Sequence, residues 1–125
     1  MWRNFKQRGI KGERELFHKL QERGFTVARV AGSGSVQSPS CDLLAGNGKV
    51  MYAIECKTTV KNKIHISKRQ IDDLKTFAKG FGLKPIVFCK FIGRGWRYLF
   101  PHELIDVGTK NYLFAWNQSS ASQDF

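Results

Sequence analysis

The chain has 125 residues, 42% of them hydrophobic, which suits one globular domain and excludes a disordered chain. Twenty-one Lys and Arg against ten Asp and Glu give a formal charge of +11 and a pI near 9.9. A body this small and this basic favours a polyanionic partner and leaves no room for a second recognition domain. No window approaches about 18 uninterrupted apolar residues, so a transmembrane helix is not expected. The stretch from Met1 to Lys6 lacks the apolar run of a signal peptide, so none is expected. Three cysteines, Cys41, Cys56 and Cys89, are an odd number without a C-x-x-C, which argues against a disulfide framework or a zinc site and suits a reducing cytoplasm.

Residues 9–23 read as a helix, with Ile10, Phe17 and Leu20 on one stripe, Leu16 beside it, and Gly24 as the stop. Glu13 falls on that stripe, and a carboxylate facing a core needs a partner. Residues 25–31 read as a first strand, followed by a Gly/Ser loop. Residues 42–46 and 50–57 read as a hairpin around Asn47-Gly48, a pair suited to a type I′ turn. Residues 68–81 read as a second helix capped by Ser67, with Ile71, Leu74, Phe77, Ala78 and Phe81 inward. Lys68 and Arg69 oppose the helix dipole in its first turn, which points to phosphate contact. Strands follow at 85–91 and 96–100, with a short one at 111–116. The order αβββαββ, with or without the last strand, predicts an α/β sandwich around a mixed sheet. Residues 1–116 are the expected domain, and 117–125 a flexible polar tail.

Charge is concentrated in two segments. Residues 1–31 carry 8 basic and 3 acidic side chains, and residues 61–97 carry 10 and 2. Two solvated faces are one reading; a cleft with basic walls is the other. The basic stretches lack the Trp/Phe/Leu face of a membrane-surface helix.

Alternation along 50–57 puts Glu55 and Lys57 on one face, at the end of the hairpin where Asp42 starts the partner strand. Asp42 and Glu55 are natural oxygen ligands for a hard cation such as Mg²⁺, with the Cys56 backbone carbonyl as a third ligand and water completing the shell. Lys57 is then placed to orient or deprotonate a water, or to neutralise charge on a phosphorane-like transition state. Glu13, arriving from the first helix, is placed to hold a metal-bound water. Taken alone, Glu55-x-Lys57 also fits a surface ion pair.

Ser40-Cys41-Asp42, Ile54-Glu55-Cys56-Lys57 and Gly12-Glu13-Arg14-Glu15 together resemble the PD-(D/E)xK nuclease superfamily, and within it the archaeal Holliday junction resolvases, cellular and viral. The likeness runs over roughly residues 9–100 and includes Arg29, Gly32-Ser33-Gly34-Ser35 and Asp42-Leu43. It implies a restriction-endonuclease-like three-layer core, a mixed central sheet flanked by helices. It also implies Asp42 and Glu55 as metal ligands, Lys57 as catalytic lysine and Glu13 as the additional acid. Arg14, Arg29 and Ser33 become contacts to the scissile region. Cys41 stands where Pro is common, and the match weakens after residue 100.

The expected activity is a Mg²⁺-dependent endonuclease, with Mn²⁺ as substitute, that cuts four-way DNA junctions as a homodimer. No organic cofactor and no membrane partner are expected, and the protein is expected to be cytoplasmic and DNA-associated. Arg8, Lys11, Lys61, Lys63, Lys68 and Arg69, with Lys6, are candidate backbone contacts. A nuclease on linear or flap DNA, and a non-catalytic basic binding module, are the alternatives. Phe91, Trp96, Tyr98, Phe100, Phe114 and Trp116 supply either a dimer surface or core.

Overall fold

The computed structural model describes residues 2–30, 39–118 and 125, with side chains from Lys6 onward. Helix α1 spans Trp2–Glu22, seven residues earlier than its apolar stripe alone suggests. Strands β1 (Thr26–Arg29), β2 (Leu43–Gly46) and β3 (Met51–Thr59) follow, then β4 (Lys63–Ser67), helix α2 (Lys68–Phe81), β5 (Lys84–Phe91) and β6 (Gly95–Leu99). A 3₁₀ turn at Pro101–Glu103 leads to β7 (Ile105–Asp106) and β8 (Asn111–Ala115).

The main sheet runs β1-β2-β3-β5-β6. All its pairs are antiparallel except β3–β5, which is parallel, with α2 as part of the crossover. On one face α1 packs Leu16 and Leu20 against Leu43, Ala45, Ile54, Ile86, Phe88 and Trp96. On the other, Ile71, Leu74 and Ala78 of α2 pack with Ala53, Val87, Cys89 and Phe91. Each fully buried Leu or Ile contributes about 1.5–3 kcal/mol, so both helices are fastened mainly by these contacts. This is the expected three-layer α/β core with a mixed sheet.

Four expectations are corrected. A second, three-stranded sheet, β4-β8-β7, lies on the α2 side, so the order αβββαββ lacked β4, β7 and the certainty of β8. Ile64 and Ile66 face the core while Lys63 and His65 are exposed, an alternation that the sequence carried in Lys63-Ile64-His65-Ile66. The Asn47-Gly48 turn is not type I′, because only Gly48 has positive φ. Instead Asn47 Oδ1 accepts from the Lys49 and Val50 amides, both at 2.9 Å, closing a four-residue loop between Gly46 and Met51. The buried row of α1 is Gly12, Leu16 and Leu20, while Ile10 is exposed. Gln118, assigned to the tail, is tied to the domain, because its Nε2 donates to the Glu103 carbonyl at 2.6 Å. Phe125 also packs back, its ring 4.8 Å from Phe88 and 4.1 Å from the Arg23 guanidinium.

Phe91, Trp96 and Phe114 are buried, and Tyr98, Phe100 and Trp116 are half-buried against the two clusters.

Candidate active site

Asp42 sits just before β2, where three hydrogen bonds hold it. Its amide donates to the Ile54 carbonyl at 2.8 Å, and its carbonyl accepts from the Val30 amide at 3.0 Å. Its side-chain Oδ2 accepts from the Cys56 amide at 2.8 Å. Within an antiparallel pair the amide and carbonyl of one residue face the same neighbour. The Cys56 carbonyl therefore projects on Asp42's side, past the first residue of β2, where Leu43 pairs with Ile54.

Glu55 shares the α2-side face with Ala53 and Lys57, as strand alternation predicts. Its carboxyl neighbours that of Asp42 in the same cleft, and the two influence each other's charge. Burial, and then the neighbouring Asp42 charge, push the Glu55 carboxyl up to about 7; burial likewise raises Asp42. Lys57 Nζ lies 3.5 Å from Glu55 Oε2, and the two side chains are only 22% and 12% exposed. A surface ion pair is thus overturned: the pair lies in a largely desolvated cleft with one ammonium for two carboxylates.

The cleft has a volume of about 390 Å³ and is lined by Glu13, Arg29, Asp42, Glu55, Gln70 and Asp73, among others. Glu13 reaches it from the opposite layer, with Oε1 accepting from Arg29 Nε at 2.8 Å. Gly12, one residue earlier, makes this approach possible, because a Cβ there would collide with Thr58 Oγ1 of β3. Among the described residues no group of three or more His, Cys, Asp or Glu side chains forms a ready metal cage.

Gln70 and Asp73 were not anticipated. Gln70 Oε1 accepts from Lys57 Nζ at 3.3 Å, so the lysine is held from both sides. Its signal was present in Ser67-x-x-Gln70, which puts a glutamine at the third helical position. Ser67 Oγ accepts from the Gln70 amide at 3.1 Å, fixing that first turn against the cleft.

The predicted DNA contacts disperse. Arg14, Lys11 and Arg29 are exposed along α1 and β1, Arg69 is exposed on α2, and Lys61 and Lys63 are exposed around the β3–β4 turn. Arg8 is half-buried one helical turn before Gly12. Ser33 lies outside the described residues. Lys68 Nζ donates to Asp106 Oδ1 at 2.7 Å and to the Gly108 carbonyl at 2.6 Å, which ties α2 to the small sheet. The partner lies 38 residues away in the sequence, out of reach of any local reading. Cys41, Cys56 and Cys89 are free thiols, and burial pushes Cys41 up to about 11 and Cys89 up to about 12.

Residues 4–121 match the family model described as archaeal Holliday junction resolvase (hjc). The chain is 37% identical over 107 residues to the crossover junction endodeoxyribonuclease Hjc of Archaeoglobus fulgidus, covering 86% of this chain and 78% of that one. It is 36% identical over 119 residues to the enzyme of the same name from Methanocaldococcus jannaschii, covering 95% and 84%. The crystal structure of A. fulgidus Hjc, a Holliday junction resolvase from an archaeal hyperthermophile, superimposes with a TM-score of 0.77 at 34% identity, over 86% of this chain and 83% of that one.

Proposed function

The chain belongs to the archaeal Holliday junction resolvase family, and from that premise we propose that it is a homodimeric, Mg²⁺-dependent endonuclease that cuts four-way DNA junctions. The observation that carries the reading is the convergence of Asp42, Glu55 and Lys57 at one end of a hairpin, within a cleft that Glu13 enters from the other layer.

The donor set fits a hard divalent cation. Two neighbouring, mostly buried carboxylates share one ammonium, and their raised proton affinities reflect burial first and neighbouring negative charge second. Asp42, Glu55 and the Cys56 carbonyl would hold the ion, with Glu13 reaching it through water. When bound, Mg²⁺ polarises a phosphoryl oxygen and lowers the pKa of water; Mn²⁺ offers the same chemistry with the same oxygen donors.

The protein's own groups do the rest. Asp42 is held by the Cys56 amide, so its carboxylate does not reorganise when charge changes in the cleft. Lys57, held between Glu55 and Gln70, meets the scissile phosphate and offsets charge on its non-bridging oxygens as water attacks phosphorus and the P–O bond breaks. Glu13 orients water within the cleft, and Arg29, its partner, extends outward to the DNA backbone. Arg8, Lys11, Arg14, Ser33, Lys61, Lys63 and Arg69 contact phosphates, which position the substrate without reading sequence. An isologous dimer puts two such clefts on opposed strands of a substrate that itself has approximate two-fold symmetry. The three free thiols suit a reducing, cytoplasmic setting.

Cleavage of a four-way junction and of a matched linear duplex, compared at one salt concentration with and without Mg²⁺, tests the reading. Paired nicks near the crossover, only with the cation and only on the junction, are expected. Equal cleavage of the duplex would point to a general nuclease, and no cleavage at all to a binding module. Sedimentation at twice the chain mass is expected for the dimer.

A further inference from the structure

The motif Gly12-Glu13-Arg14-Glu15 gives Glu13 and Arg14 a place in the reaction and leaves Glu15 without one. Glu15 reaches the far strands of the main sheet instead of the acidic cleft. Its Oε2 accepts from Trp96 Nε1 at 2.9 Å and lies 2.7 Å from Lys90 Nζ. Trp96 is buried, so Glu15 supplies its indole N–H with the acceptor that burial demands. Burial works against the ionised form of Glu15, but hydrogen bonds from Lys90 and Trp96 hold its carboxyl below the usual carboxylate range.

Both partners of Glu15 sit in one row across the sheet. Lys90 of β5 pairs with Thr58 of β3 on one side and with Trp96 of β6 on the other. Gly12 lies against Thr58, at the start of the same row. Successive residues of a helix are turned by about 100°. With Gly12 facing the sheet, Glu13 therefore points to one flank of α1 and Glu15 to the other. Glu13 meets Arg29 of β1 at 2.8 Å, and Glu15 meets β5 and β6, so the two carboxylates hold the helix across the sheet from opposite sides. Among the described residues, the apolar side chains that fasten α1 on this face, Leu16, Phe17 and Leu20, all follow Glu15. The turn that carries Glu13 has its rotation set by the two polar contacts and by Gly12.

We infer that Glu15 is a positioning residue: by tying α1 to Trp96 and Lys90 it fixes the roll of the helix, and so the depth at which Glu13 enters the cleft. The inference rests on the nuclease reading and deepens it, because it assigns what holds the water-orienting acid in place. An acid that orients water works only within hydrogen-bond reach, and a misplacement of about 1 Å is enough to cost a large factor in rate. Glu15 acts through Glu13 and does not touch the substrate.

The test is single-turnover cleavage of a four-way junction with Mg²⁺, with junction affinity read by fluorescence anisotropy in EDTA. The proteins are the full-length wild type, E15A, E15Q, E13Q and E13Q/E15A. E15A should cut roughly tenfold more slowly with unchanged affinity. E15Q keeps an acceptor for the Trp96 indole and should recover most of the rate. On the E13Q background, where no Glu13 carboxylate is left to position, E15A should add no further loss. A merely structural effect would lower both backgrounds by the same factor. Hydrogen exchange at the Trp96 indole, followed by NMR without metal or DNA, should quicken in E15A and stay slow in E15Q. Lys90→Met cuts the ion pair from the sheet side and should slow cleavage in the same direction, which carries the test if E15A does not fold. An equal fall of E15A on both backgrounds, or an E15A as fast as wild type, overturns the positioning role and leaves the nuclease intact. A wild type that does not cut the junction overturns the nuclease reading itself.

Discussion

The Cys56 amide donates to Asp42 Oδ2 at 2.8 Å, so the strand that carries Glu55 and Lys57 also fixes the first carboxylate of the cleft. One hydrogen bond therefore couples the register of the β2–β3 hairpin to the geometry of the proposed metal site. A slip of one residue would turn Glu55 and Lys57 to the opposite face.

Asp42→Asn and Glu55→Gln should each abolish junction cleavage, by about 10²-fold or more, while junction binding persists. Single-turnover cleavage and anisotropy on the same preparations separate the two effects. Cleavage that survives either substitution would remove that residue from the proposed metal site.

The carboxyl pair predicts an unusual pH dependence of stability without metal. Glu55 is raised from its ordinary 4.5 to about 7, and Asp42 is shifted in the same direction. Between these values the folded state binds more protons than the unfolded one, so stability falls as pH rises. The contribution is full below pH 4.5 and lost as pH passes through 7, on the order of 3 kcal/mol for Glu55. Melts in EDTA should show a lower midpoint at pH 8 than at pH 5.5, and Mg²⁺ should raise the midpoint more at pH 8. Glu55→Gln should flatten the EDTA profile.

Gly12→Ala should destabilise the protein although alanine is the better helix former. The new Cβ would meet Thr58 Oγ1 and push α1 away from β3. A crowding cost of about 1–3 kcal/mol exceeds the helix-propensity gain of about 1 kcal/mol. Thr58 Oγ1 is buried with no hydrogen-bond partner among the described residues, so Thr58→Ala should be nearly neutral alone. The double variant G12A/T58A should recover most of the loss. Chemical denaturation of the four proteins completes the cycle.

Gln70→Ala should lower the single-turnover cleavage rate by roughly tenfold and leave junction affinity unchanged, because the side chain holds Lys57. A loss of affinity with an unchanged rate would show that Gln70 contacts DNA instead.

What the sequence determined by itself is what short range decides. Helical spacing placed α2 from Lys68 to Phe81, and two-residue alternation put Glu55 and Lys57 on one face beside Asp42. The motif Gly12-Glu13-Arg14-Glu15, read with the later acids, was enough to reveal the family. The rest depended on contacts between residues far apart. β4 is short, and its partner β8 begins 44 residues after β4 ends, so its alternation carried no weight without that partner. Lys68 meets Asp106 only once the small sheet has formed. Gln70 was a helix-cap residue until folding brought it to Lys57. Tertiary structure decided these because the energy of a buried polar contact depends on which groups arrive together, and chain-local pattern holds no record of that.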